Sequence, residues 1–192
     1  MMPASKILVA VIVIVASTTA LAARQQKPVV TGDVNSDYAR PPETMARLVA
    51  SADVIVQAVV TGNRNVVYEH GGHSQAKTEY TLQVIDSIKG TLQAGRLVTL
   101  LRSGGDIDAG SEIRRSVEPG FMPFHRGEQY LVFLHWNAGL NVYEVIYGPN
   151  GVFQINAGTV SAIGKSPLSL SLHGQPLIGV ATNAKNLLRG AR

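Results

Sequence analysis

Glu128-Gln129-Tyr130-Leu131-Val132-Phe133-Leu134-His135-Trp136 is the stretch on which the fold turns. It is rich in β-branched and aromatic residues, which suit extended backbone. Successive side chains of a strand point to opposite faces, and from Tyr130 to Phe133 both faces are apolar. A strand that is apolar on both sides must be covered on both sides. The stretch therefore predicts a central strand, for which the rest of the chain must supply neighbours and cover.

Candidate neighbours lie on either side. Upstream, Asp53 to Val60 is a Val- and Ile-rich run, Ala76 to Ile88 alternates through Tyr80, Leu82 and Val84, and Arg96 to Arg102 alternates through Leu97, Thr99 and Leu101. Downstream, Val142 to Tyr147 and Gly151 to Ile155 follow, with Asn137 to Asn141 and Gly148 to Asn150 as turns between them. Short strands separated by Gly, Asn and Pro turns predict a mainly β, antiparallel structure. One helix precedes them, over Pro41 to Ala52. There Met45, Leu48 and Val49 form an i, i+3, i+4 stripe behind Pro41, Pro42 and Glu43. Residues 23–40 lack periodicity and read as a flexible lead-in. Beyond Ile155 the pattern loosens. Gly158 to Ile163 can form a further strand and Ala181 to Leu188 has modest helix propensity, so 157–192 is expected to be a loosely packed C-terminal extension to a domain over 41–156.

The 192-residue chain has no cysteine, which excludes disulfides, a thiol nucleophile, iron–sulfur clusters, thiolate zinc sites and a lipobox anchor. Its N-terminus has the order of a cleavable secretory signal: Lys6, an apolar run from Ile7 to Ala16, then small and polar residues with Ala20-Leu21-Ala22 as an A-x-A site. This predicts a signal peptide over 1–22 and a periplasmic or extracellular protein, with an uncleaved anchor as the alternative. The apolar run is too short to span a bilayer, and no other segment reaches spanning length. Removing it takes away Lys6 and no acid, so the remainder is only mildly basic. A dense basic stripe with interleaved aromatics is missing, which argues against a nucleic-acid partner.

Ala52-Asp53-Val54-Ile55-Val56-Gln57, Thr78-Glu79-Tyr80-Thr81-Leu82-Gln83-Val84 leading to Ile88-Lys89-Gly90, and Phe124-His125-Arg126-Gly127-Glu128-Gln129-Tyr130 into the central strand together resemble an uncharacterised family of exported bacterial proteins. The strand layout is similar to the OB-like barrel of netrin modules and tissue inhibitors of metalloproteinases. The resemblance spans roughly Leu48 to Ile155 and implies an antiparallel OB-like β-barrel rather than an activity. Inhibitors of that architecture chelate the enzyme's zinc through an N-terminal cysteine. This chain has none, so that route does not transfer.

Chemistry-bearing residues are sparse. His70-Gly71-Gly72-His73, after Glu69, offers two imidazoles to a divalent metal, or else forms a solvated hairpin tip. Asp106 and Asp108 begin like a Ca²⁺ loop but lack the later ligands, leaving a plain acidic loop as the alternative. Ser74 and Lys77 match S-x-x-K by letter without its companion motifs, and no nucleophile elbow, zinc-protease helix, P-loop or dinucleotide fingerprint occurs. No catalytic residue and no cofactor is assigned. Phe121, Met122 and Phe124, in the Gly- and Pro-bounded loop Gly120-Phe121-Met122-Pro123-Phe124, either anchor a partner or fold back to plug a barrel end. The leading expectation is an exported, non-enzymatic module that binds a protein or polymer. The alternatives are a small metal-dependent or hydrolytic enzyme using His70, His73, Asp106 and Asp108, and an assembly subunit. Oligomeric state is left open.

Overall fold

The computed structural model describes residues 27–34, 38–70 and 73–190. The expected signal peptide lies outside the described residues.

In chain order the elements are β1 (Val29–Asp33), α1 (Met45–Ser51), β2 (Val54–His70), β3 (His73–Lys89), β4 (Leu97–Ser103), β5 (Gly105–Asp108), β6 (Ile113–Val117), β7 (Gln129–Asn137), β8 (Val142–Val145), β9 (Val152–Asn156), β10 (Thr159–Ala162), α2 (Pro167–Leu172) and α3 (Leu177–Gly190). A short 3₁₀ turn, Gly148–Gly151, links β8 to β9. The protein is mainly β, as expected. Helix α1 buries Met45, Leu48 and Val49, the stripe its spacing foretells, and Thr44 caps it by accepting from the Arg47 amide at 3.3 Å.

The central role of the 128–136 stretch holds. Strand β7 lies between β9 and β2 in a seven-stranded sheet of order β10-β9-β7-β2-β3-β4-β8, and Tyr130 to Leu134 are all buried. Strand β8 pairs with β7 as well as with β4, so the pairings β7–β2–β3–β4–β8 return to β7. The strands are not all antiparallel, contrary to expectation. Strand β4 runs parallel to β8, and β1 parallel to β6. Hairpin turns produce only antiparallel neighbours; here the chain between β4 and β8 builds another sheet and the central strand before returning, which is the long crossover a parallel pair needs.

Two cores follow from the pleat. Val54, Val56, Ala58 and Val60 of β2, Tyr80, Leu82 and Val84 of β3, Val98 and Leu100 of β4, and Tyr130, Val132 and Leu134 of β7 pack together inside the ring of pairings. The opposite faces of β2 and β7, through Ile55, Leu131 and Phe133, pack with Phe153, Val160 and the helices. On β4 the interior face is Val98 and Leu100, one residue out of phase with the expected Leu97, Thr99 and Leu101, and Leu97 is exposed. Both phases of that strand are apolar, and a one-residue shift exchanges its faces.

Two further expectations are corrected. The extension over 157–192 is not loosely packed: β10 joins the main sheet, and Val160, Leu172, Val180 and Ala184 are buried in the second core. The lead-in is not uniformly flexible, because Val29–Asp33 pairs in register with Ile113–Val117. With the antiparallel β5–β6 pair, which occupies part of the expected acidic loop, β1 forms a separate three-stranded sheet.

Candidate functional site

Strand β4 carries the site. Its interior face runs Val98, Leu100 and then Arg102, so the next inward position holds a guanidinium, whose side chain is 5% exposed. Arg102 Nη1 donates to the Met122 carbonyl at 2.9 Å and Nη2 to the Phe121 carbonyl at 3.0 Å. Its guanidinium carbon stands 3.2 Å from the Phe121 ring centroid and 4.8 Å from that of Phe124. The nearer Glu118 oxygen is 3.8 Å from Nη2. Burial pushes the affinity of Arg102 for its proton below the usual range, and Tyr80 and Glu118 act against that. A buried cation thus fastens the 118–124 segment to the end of β4, with Phe124 stacked on Tyr130 at 4.4 Å.

Beyond Arg102 the chain leaves the main sheet at Gly104 and Gly105, both at positive φ. A Cβ on Gly105 would come within 2.9 Å of Thr78 Oγ1, so glycine permits the close crossing over β3. Strands β5, β6 and β1 then lie beside the main sheet and leave a cavity on either side. The larger, of about 540 Å³, is lined by Asp33, Tyr38, Ser74, Gln75, Lys77, Arg102, Ser103, Ser116, Phe121 and Glu144 among others. The smaller, of about 310 Å³, shares Arg102, Ser103, Ser116 and Phe121 with it.

The larger cavity sits on neighbouring strands in register. Lys77 of β3 is opposite Ser103 of β4, and Leu101 of β4 is opposite Glu144 of β8. Asp33 of β1 and Ser116 of β6 line it too, while the Tyr38 ring packs against Gly148. Among the described residues, the side chains of Asp33, Gln75, Ser103, Ser116 and Glu144 make no hydrogen bond or ion pair. Carboxylates beside the smaller cavity behave differently. Asp106 accepts from Arg115 Nε and Nη2 at 2.8 Å each, which holds its carboxyl below the usual range.

Of the residues singled out in the sequence, Phe121 and Phe124 are buried and Met122 is exposed. Asp108 pairs with Lys27 at 2.6 Å and accepts from the Gly110 amide, so both aspartates already serve protein cations. His70 and His73 pair through their backbones at the end of the β2–β3 hairpin, and their side chains lie outside the described residues. Among the described residues no cluster of three or more His, Asp or Glu could hold a metal. His135 Nδ1 lies 2.8 Å from Asp53 Oδ2 at the exposed end of β7.

Sequence reasoning missed Asp33, Gln75, Ser103, Ser116 and Glu144, which come from five separate segments and share no motif. Arg102 had a legible signal, a charge at the inward phase of an apolar strand, once the phase of β4 is known. No protein-family model matches this chain, and no curated protein matches it.

Proposed function

We propose that the protein is an exported, non-enzymatic binding module on an OB-like β-barrel, and that its ligand lies in the larger cavity, on the β3–β4–β8 face. The observation that carries this reading is the set of side chains lining that cavity that make no hydrogen bond or ion pair among the described residues. Ser103, Ser116 and Glu144 are half-buried while Asp33 and Gln75 are exposed, and a concave site on which several polar groups converge can orient a ligand.

Supporting the barrel is the ring of pairings through β7, β2, β3, β4 and β8, filled by one apolar core and plugged by Phe121 and Phe124. In OB-like barrels oligomeric ligands cross the exposed face of the second and third barrel strands, here β3 and β4. Export rests on the signal-like order of Met1 to Ala23. The enzyme alternative loses support because Asp106 and Asp108 are held by Arg115 and Lys27.

The test is a titration of the isotope-labelled protein with fractionated cell-envelope protein and polysaccharide, following backbone amides by NMR. Binding should shift Lys77, Ser103 and Glu144 while mass spectrometry finds the added material unchanged. Shifts confined to other surfaces, or chemical conversion of the added material, would overturn the proposal.

A further inference from the structure

We infer that the ligand of the larger cavity is a neutral oligosaccharide segment; this rests on the binding reading above. Charge narrows the class first. The cationic side chains lining the cavity are Lys77 and Arg102, and the anionic ones are Asp33 and Glu144, so its formal charges cancel. Arg102 is already tied to two carbonyls, and Lys77 lies 5.5 Å from the Tyr68 ring centroid. A polyanion would meet two carboxylates that have no ion pair among the described residues, and a polycation would meet Lys77 and Arg102.

Hydrogen-bonding chemistry narrows it further. Two carboxylates that only accept, an ammonium that only donates, and serine hydroxyls and a Gln amide that do both line one space. An apolar ligand would strand these groups at the cost of their hydration. A sugar hydroxyl donates and accepts at once, and rows of them can satisfy all three kinds of lining group. An extended peptide is a poorer fit, because it binds through strand edges. Among the described residues the strand edges left open beside the cavity are short: Ser74 to Ala76 of β3, where the Ala76 carbonyl already accepts from the Gly104 amide, Arg102 and Ser103 of β4 beyond the β8 pairing, and the outer edge of five-residue β1. The volume of about 540 Å³ lies within the range of small-ligand sites.

The test titrates the labelled protein with tri-N-acetylchitotriose, cellotetraose and maltotetraose, and in parallel with tetragalacturonate and trilysine. At least one neutral sugar should shift the amides of Lys77, Ser103 and Glu144. Glu144→Gln and Asp33→Asn, both at partly or fully exposed positions, should each weaken that binding about tenfold, the scale of one hydrogen bond to a charged group. Silence from all three neutral sugars overturns the inference, as does neutral-sugar binding that neither variant weakens. If tetragalacturonate, trilysine or an envelope protein fraction shifts those amides while the neutral sugars do not, the ligand class falls and the cavity remains a binding site. If nothing shifts them, both readings fall.

Discussion

The guanidinium of Arg102 lies 3.2 Å from the ring centroid of Phe121 while donating to the carbonyl of that same residue at 3.0 Å. One side chain therefore fixes both the aromatic ring and the backbone of a segment that packs into the core inside the ring of strands. Arg102→Ala should destabilise the protein by about 3–5 kcal/mol in urea denaturation, since it opens a cavity and removes a counter-charge from buried Glu118. Arg102→Lys should recover little of this, because an ammonium lacks the planar fork that stacks and donates to two carbonyls together. Full recovery by lysine would show that charge alone matters.

Stability should also carry an acid limb from the small sheet. The hydrogen bonds from Arg115 lower the pKa of Asp106, and those from Lys27 and the Gly110 amide lower that of Asp108. A depressed folded pKa stabilises above the unfolded value and is lost as pH falls through the folded one. The melting temperature should therefore decline below about pH 4. Asp106→Asn should melt lower than the parent at pH 6, by about 2–4 °C at most for so exposed a pair, and the gap should close by about pH 2. Calorimetry across that range decides; a gap independent of pH would sink the assignment.

Gly148 sets the position of Tyr38. It has φ +55°, and a Cβ there would collide with the Tyr38 ring. Gly148→Ala should cost about 1–3 kcal/mol and move Tyr38 from the wall of the larger cavity. Tyrosine ring resonances would report the displacement, and an unchanged spectrum with unchanged stability would contradict it.

Ending the chain after Asn156 should abolish cooperative folding. The removed residues include Val160, Leu172, Val180 and Ala184, which cover Ile55, Leu131, Phe133 and Phe153. Each fully buried aliphatic or aromatic side chain left bare forfeits about 1.5–3 kcal/mol, against total stabilities of about 5–15 kcal/mol. Poor dispersion in the proton spectrum of the shortened chain would bear this out; a cooperative melt would show that 157–192 is dispensable.

Legibility followed burial. The strands with strong apolar signatures, β2 as far as Val60, β3 from Ala76, β4, β7, β8 and β9, were readable because each has at least one face in a core there, whereas 61–69 of β2 are exposed or half-buried and went unread. Strands β1, β5 and β6 were not, because their side chains are exposed or half-buried and carry no alternation. What makes Val29–Asp33 a strand is its pairing with Ile113–Val117, far along the chain, and local propensity holds no trace of that partner. The C-terminal helices were underestimated for a related reason. The interior of α3 is carried by Val180 and Ala184, too small a stripe to stand out from its polar neighbours.

Read alone, the sequence determined the β character, the central place of Tyr130 to Phe133, the stripe of α1 and the exclusion of all thiol chemistry. These depend on local side-chain chemistry and on periods of two or 3.6 residues, which short windows contain. Tertiary structure decided the two parallel pairings, the phase of β4 and the assembly of a neutral, polar cavity from β1, β3, β4, β6 and β8. Such features arise where distant segments meet, and the groups that line one cavity there, such as Asp33 and Glu144, bear no mark of one another in their own neighbourhoods.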